Sequence, residues 1–215
     1  MTKPFRLVLK LFAGFILLIC FALLTIYLAI LFGAFGRLPE TEELAGIRNE
    51  EATLIYASDG SLIGKIFASN RTNIEWDEVP VQLVNALICT EDKRFFSHQG
   101  IDRMSYIRVI FKTLLSGDRN SGGGSTITQQ LAKNLYGRRN LGILTLTVAK
   151  IREAIIAFRL EKVYSKDEII LLYLNSIPFG ENVYGIEAAA QRFYNKSTQD
   201  LKIEQIALLV GMLKA

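Results

Sequence analysis

Two glutamates stand where a helix would aim them inward. Val84, Leu87, Ile88, Glu91 and Phe95 recur at the spacing of one helical face, so Glu91 shares an apolar stripe while Asp92, Lys93 and Arg94 turn elsewhere. A carboxylate so placed either pairs with a basic neighbour at the helix end or accepts a proton from a substrate hydroxyl. His98, seven residues on, is either a second polar group there or a local hydrogen-bonding residue. Further along, Leu144, Val148, Ile151, Ile155 and Phe158 form one stripe and Leu146, Ala149, Ile156 and Leu160 another, with Glu153 in the middle of the second. That spacing predicts a helix buried on two faces, with Arg152 and Arg159 on one seam and Lys150 and Glu161 on the other. Glu153, flanked by Lys150 and Arg152, reads either as a structural ion pair or as part of a cleft that handles anionic groups.

Between the two glutamates runs Gly122-Gly123-Gly124-Ser125-Thr126. It is not a nucleotide loop, because GxxxxGK[ST] needs a Lys before the Ser or Thr. Thr126 followed by Gln129 is a capping box, which predicts a helix over Thr126 to Tyr136 whose N-terminus points free N–H groups outward. Lys133, Arg138 and Arg139 add cations. Two inward carboxylates, a helix N-terminus and a basic cluster suit reaction at a sugar bearing a phosphate leaving group.

The elements that must position these groups follow from composition. Of 215 residues half are hydrophobic, the formal charge is +4 and the mean hydropathy is +0.26, too apolar for an ordinary soluble domain. Leu11 to Gly36 carries no charge. At about 1.5 Å per residue it reaches roughly 39 Å, enough to cross a membrane. Lys3, Arg6 and Lys10 precede it, so the positive-inside rule puts residues 1–10 in the cytoplasm, makes 11–36 an uncleaved anchor and sends the remainder to the outer side. A cleaved signal peptide is the alternative, though its apolar region would be shorter. Cys20 and Cys89 do not make a disulfide framework, and one histidine cannot build a His-based metal site. Residues 37–80 read as a linker with two short strands, Thr53 to Ala57 and Ser61 to Phe67, around an Asp59-Gly60 turn. After Pro80 the pattern is helical, broken at Gly100, the glycine run, Ser176 to Asn182 and near Asn195.

Glu91-Asp92-Lys93-Arg94-Phe95-Phe96-Ser97-His98-Gln99-Gly100 resembles the EDxxFxxHxG motif of bacterial peptidoglycan glycosyltransferases, the transglycosylase module of class A penicillin-binding proteins. Gly123 to Asn134 resembles that family's GGSTxTQQLxKN. RKxxE is matched at Lys150 and Glu153, and the fourth motif at Tyr164-Ser165-Lys166 through Ile169 to Tyr173-Leu174-Asn175. The resemblance implies a mainly α, lysozyme-like two-lobed domain over 81–215, whose smaller lobe, about Ile101 to Gly122, dips into the membrane. It implies polymerisation of lipid II into β-1,4-linked glycan, with Glu91 as general base and Glu153 as second acidic residue. Asp92, Phe95, His98, Gly124, Ser125, Thr126, Gln130, Lys133, Asn134, Lys150, Tyr173 and Asn175 then fall at substrate-binding positions. Partners so implied are lipid II, the growing glycan strand, membrane lipid and cell wall synthesis proteins, with no nucleic acid. No cofactor is implied as required, and Mg²⁺ is the one ion some members respond to.

Departures from the family pattern are Ala149 and Val163, each where Arg is usual; Arg152 and Lys162 are the nearby cations that could replace them. Asn195 stands where Gly is usual, a position a left-handed residue tolerates. Ser165 with Glu168 forms a second capping box, and Glu181 is a lesser candidate for the cleft. The sequence ends inside the family's last motif, which suggests a longer protein with a transpeptidase domain beyond residue 215. A membrane-anchored muramidase, for which a buried Glu also serves, and a noncatalytic wall scaffold are the alternative readings.

Overall fold

A computed structural model of the chain describes residues 3–47, 53–59, 62–66, 70–108 and 124–213. The chain divides into two compact units, one formed by Met1–Pro39 with Arg138–Arg152, the other by Glu40–Gly137 with Glu153–Ala215.

In the first unit, helix α1 spans Lys3–Leu31. Its stretch Leu7–Leu31, 25 residues at a mean hydropathy of 2.8, is long and apolar enough to cross a membrane. Leu17 and Phe21 lie more than 60% exposed, as side chains facing lipid would. The helix stops short of the apolar run. Gly33 takes a positive φ of 80°, its N–H donates to Ile30 O at 3.0 Å, and Ala34 N–H donates to Ala29 O at 2.9 Å. This is a Schellman ending, which glycine makes without the penalty of a Cβ. The span expected over 11–36 is therefore helical over 3–31, and residues 32–36 turn away.

Arg152 then ties down the exit. Its Nη1 donates to Gly36 O at 2.5 Å and Phe35 O at 3.4 Å, and its Nη2 to Arg37 O at 3.1 Å. A planar five-donor fork suits a run of carbonyls that no helix satisfies. Burial and the neighbouring Arg139 hold its pKa below the usual guanidinium range.

The second unit is mainly helical. Helix α2 is Thr41–Ala45; α3, Val81–Glu91; α4, Ile127–Tyr136; α5, Thr145–Val163, whose first turns belong to the other unit; α6, Lys166–Ser176; α7, Ile186–Tyr194; and α8, Ile203–Met212. Helix α3 packs on α8, and α4 on α6. Their apolar faces put Leu83, Leu87, Ile127, Leu131, Ile169, Ile170 and Leu209 wholly out of solvent. Each such residue contributes about 1.5–3 kcal/mol relative to exposure. The Ser165–Glu168 capping box is present at the start of α6. Asn195 closes α7 at φ 52°, ψ 44°, the left-handed conformation expected where glycine is replaced.

Strands β1 (Thr53–Tyr56) and β2 (Leu62–Ile66) pair antiparallel around the expected turn, with an irregularity between Ile55 and Tyr56. A parallel pairing of β3 (Asn70–Arg71) with β4 (Val183–Tyr184) was not foreseen. The stretch read as a linker also contributes to the interior. Leu44 and Ile74 are buried, Tyr164 Oη donates to Leu44 O at 2.6 Å, and the Asn175 amide bonds both the N–H and the C=O of Ile74 at 3.0 Å. Of the lobe expected over Ile101 to Gly122, residues 103–108 are helical and 109–122 lie outside the described residues. The two-faced burial expected of α5 holds for one face only: Ala149, Glu153, Ile156 and Leu160 of the second stripe are buried, with Leu146 exposed at its start, whereas the first stripe is exposed at Leu144 and Phe158 and buried at Val148 alone.

Candidate active site

Glu91 is the last residue of α3, half-buried. Its Oε2 accepts from Gln130 Nε2 on α4 at 2.8 Å, and Gln130 Oε1 in turn accepts from Tyr173 Oη on α6 at 2.8 Å. The packing of α4 on α6 makes this chain possible, because it stacks Gln130 and Tyr173 behind the carboxylate. Burial, and then the charge of Glu91, push the Tyr173 pKa well above that of an ordinary phenol, so the hydroxyl stays protonated and donating. Glu91 Oε1 is buried without a hydrogen-bond partner. An acceptor left so loses roughly 1–3 kcal/mol or more if charged, and such an atom in a folded protein calls for a functional reason.

A second constellation joins the two motif loops. Asp92 is buried; its carboxylate oxygens lie 2.9 and 3.1 Å from His98 Nε2, and Oδ2 also accepts from Ile127 N–H at 3.1 Å. Thr126 Oγ1 donates to Gly100 O at 2.6 Å and accepts from Gln129 N–H at 3.1 Å, while Gln129 Oε1 accepts from Thr126 N–H. The capping box is thus as expected, but the open anion site is not. Thr126, Ile127, Thr128 and Gln129 are all buried, and the N-terminus of α4 is already occupied by the Asp92 carboxylate. A carboxylate there complements the helix dipole and leaves that N–H unavailable to a substrate phosphate.

Around this joint, Lys166 Nζ donates to His98 O at 2.7 Å, pairs with Glu161 at 2.8 Å and lies 4.3 Å from the centre of the Phe95 ring. Thr128 Oγ1 donates to Glu161 Oε1 at 2.6 Å. Asp102 pairs with Arg94 and accepts from the N–H groups of Met104 and Ser105, capping the helical residues 103–108. An open cavity of about 490 Å³ lies beside His98, lined also by Arg94, Arg103, Met104 and Phe158.

The structure therefore brings Glu91, Gln130 and Tyr173 together, and Asp92, His98 and Thr126 together. Phe95 is fully buried beneath Lys166, and Asn175 is buried against Ile74, so both face the interior. Gly124 and Ser125 are half-buried ahead of α4; Lys133 is exposed and Asn134 half-buried one turn past Gln130. Glu153 is buried on α5, one turn after Lys150, which falls in the first unit. Sequence reasoning missed Asp102, whose signal was an Asp three residues before Ser105 at a helix start. It also left Lys166 and Glu161 out of the site, since their partners come from distant segments.

Two lesser expectations, for Arg152 and Glu181, are corrected. Arg152 does not stand in for the Arg missing at 149, because its guanidinium caps the anchor exit. Lys162 lies 4.6 Å over the Phe158 ring. Glu181 forms an exposed pair with Arg192 at 3.1 Å, a surface contact. Among the described residues, no three His, Cys, Asp or Glu side chains gather as a metal-ligand set.

A membrane-length helix thus precedes a mainly helical unit in which one carboxylate is oriented from a second helix and keeps an acceptor atom without a partner. The Transglycosylase family profile matches residues 59–215. Penicillin-binding protein 1F of Bacillus subtilis (strain 168) is 36% identical over 208 residues, 96% of this chain and 28% of that protein. Penicillin-binding protein 1A of Escherichia coli (strain K12) is 38% identical over 179 residues, 83% of this chain and 20% of that protein. For penicillin-binding protein 1A of Rickettsia prowazekii (strain Madrid E) the identity is 36% over 220 residues, all of this chain and 27% of that protein. The chain spans less than a third of the length of these curated relatives. It belongs to the transglycosylase family, as a peptidoglycan glycosyltransferase module of the class A penicillin-binding-protein kind.

Proposed function

We propose that this module polymerises lipid II by inverting transfer, with Glu91 as the general base. The observation that carries the reading is the Glu91 carboxylate itself: Gln130 fixes Oε2, and Oε1 has no donor. In the proposed step Oε1 takes the proton of the acceptor 4-hydroxyl as that oxygen attacks the anomeric carbon of the donor. The anomeric C–O bond breaks and the undecaprenyl diphosphate leaves with the bonding electrons. Because a diphosphate is already a good leaving group, positioning, charge neutralisation and one base suffice.

Tyr173 and Gln130 act behind the base: the phenol, donating to the Gln130 carbonyl, leaves the amide N–H₂ turned toward Glu91. Asp92, His98, Thr126 and Phe95 are read as the frame that holds the two motif loops, with Asn175 anchoring the preceding segment. Lys133, Asn134, Gly124 and Ser125 are the donor-side groups on and before α4. For Lys150 at the diphosphate and for Glu153 as the second acidic residue, the support is the motif they match. No step is routed through Mg²⁺. The basic N-terminal flank supports a cytoplasmic N-terminus and catalysis on the outer face, with the growing strand and other wall-synthesis proteins as partners.

The test is polymer formation from labelled lipid II in detergent, followed on a gel, for the parent and for Glu91→Gln. Removal of a general base is expected to slow the reaction by about 10²–10⁴-fold. A variant as fast as the parent would remove Glu91 from that role. If both proteins are folded and neither makes polymer, the polymerase reading fails and a scaffold role takes its place.

A further inference from the structure

Of the segment that follows α4 only Lys150 enters the chemistry above, and residues 138–152 belong to the same compact unit as the membrane helix. From Gly137 to Arg152 it has no acidic residue and four cations, Arg138, Arg139, Lys150 and Arg152. In its first half apolar side chains point out, Ile143 at 97% exposed, Leu146 at 64% and Leu144 at 39%, while Val148 and Ala149 turn inward. The loop is nevertheless ordered. Gly142 turns at φ 61° into a 3₁₀ turn over Gly142–Leu144, Leu141 N–H donates to Thr145 Oγ1 at 2.7 Å, and Gly142 N–H to Asn140 Oδ1 at 3.1 Å.

Its position relative to the anchor exit is fixed at two points. Arg152 holds the carbonyls of residues 35–37, and the Arg139 guanidinium lies so close to Gly36 that a Cβ there would meet it at 2.7 Å. Leu7–Leu31, at about 1.5 Å per residue, reaches roughly 37 Å, longer than a hydrocarbon core of about 30 Å, so its end lies among the headgroups. Four residues separate Arg139 from Ile143, a reach of at most about 14 Å. An exposed apolar turn within that distance of the exit, in a stretch whose only charges are positive, has the chemistry of an interfacial membrane contact. Phe32, just past the end of α1, is a further apolar side chain left 87% exposed in this unit.

We propose that residues 138–146 are a second membrane contact, with Ile143 and Leu146 seated at the headgroup boundary of an anionic leaflet toward which the segment's positive charge draws them. A single helix leaves a protein free to rotate about its axis; a second contact at the exit removes that freedom. The charge favours lipid over a protein occupant, because anionic headgroups are the partner continuous with the span.

The test uses the whole chain with Cys20 and Cys89 changed to Ser, carrying either Ile143→Cys or Val81→Cys with a fluorescent label. Val81 is 69% exposed in the other unit and serves as the comparison position. Each protein, its helical circular dichroism first checked, is placed in vesicles of phosphatidylcholine alone or mixed with phosphatidylglycerol. Severalfold stronger quenching by brominated lipid is expected at 143 than at 81, rising with phosphatidylglycerol. The rise should weaken in 1 M salt, where the screening length falls from about 10 Å at 0.1 M to about 3 Å. Equal quenching at the two positions overturns the proposal, as does burial indifferent to phosphatidylglycerol. Shielding of 143 that appears only on adding another wall-synthesis protein overturns it as well.

Discussion

Glu91 ends its helix, and no bond from its own helix orients the carboxylate; Gln130 does so from 39 residues away, and Tyr173 holds Gln130 from 43 further on. The phenol carries a measurable signature. Burial, and then the charge of Glu91, raise its folded-state pKa above the ordinary phenol value of about 10, so its contribution to stability is fully present below that pH and is lost as pH rises from there toward the folded value. Tyr173→Phe is expected to remove that alkaline loss, and chemical denaturation of parent and variant on both sides of pH 10 checks it; parallel curves would show that the phenol does not titrate as its burial requires. The inward aim of Glu91 was legible because a 3.6-residue period reports which face a side chain shares. The chain of bonds behind it was not, since no local pattern tells which of many glutamines and tyrosines meet across two packed helices. The family motif named those residues without giving their contacts.

At the scale of elements, local chemistry was read best. Both capping boxes, the β1–β2 hairpin and the left-handed Asn195 follow from side chains bonding their own backbone or from a single dihedral preference. The α4 N-terminus was misread because Asp92, 35 residues earlier, fills it. The β3–β4 pairing was missed because two residues per strand carry no period. Thr126 and Ser165 both cap, but Thr126 also bonds Gly100 O in a buried setting while Ser165 is exposed. Thr126→Ala is accordingly expected to cost about 2 kcal/mol and Ser165→Ala about 1 kcal/mol in urea unfolding; equal losses would mean that the link to Gly100 contributes nothing. Gly100 itself has φ 82°, and a Cβ would meet Ala157 C at 2.9 Å and O at 3.0 Å. Gly100→Ala should destabilise by at least about 2 kcal/mol, the left-handed penalty alone being about 1–2 kcal/mol. An unchanged unfolding midpoint would contradict that backbone approach.

For the whole molecule, the sequence identified an anchor and a helical domain but not the grouping of residues 138–152 with the anchor. Contacts over more than a hundred positions leave no trace in hydrophobic spacing, and Arg152 looked like one seam charge among several until its three carbonyl partners at the exit were seen. Arg152→Met is expected to free those carbonyls, and trypsin cleavage after Arg37 in detergent should accelerate severalfold while polymer formation in detergent changes less. Arg152→Lys, which keeps the charge but not the fork, should restore little of the protection. Protection unchanged in both would assign the order of the exit to Gly33 and its Schellman bonds instead.

The dispersal of the Glu91 site along the chain also bears on when it can work. A polypeptide delivered N-terminus first presents Glu91 long before Gln130 and longer still before Tyr173. Until α6 has folded against α4, the carboxylate lacks the bond relay that orients it. The docking of α6 on α4, the last of these elements along the chain, is therefore the step that completes the oriented carboxylate.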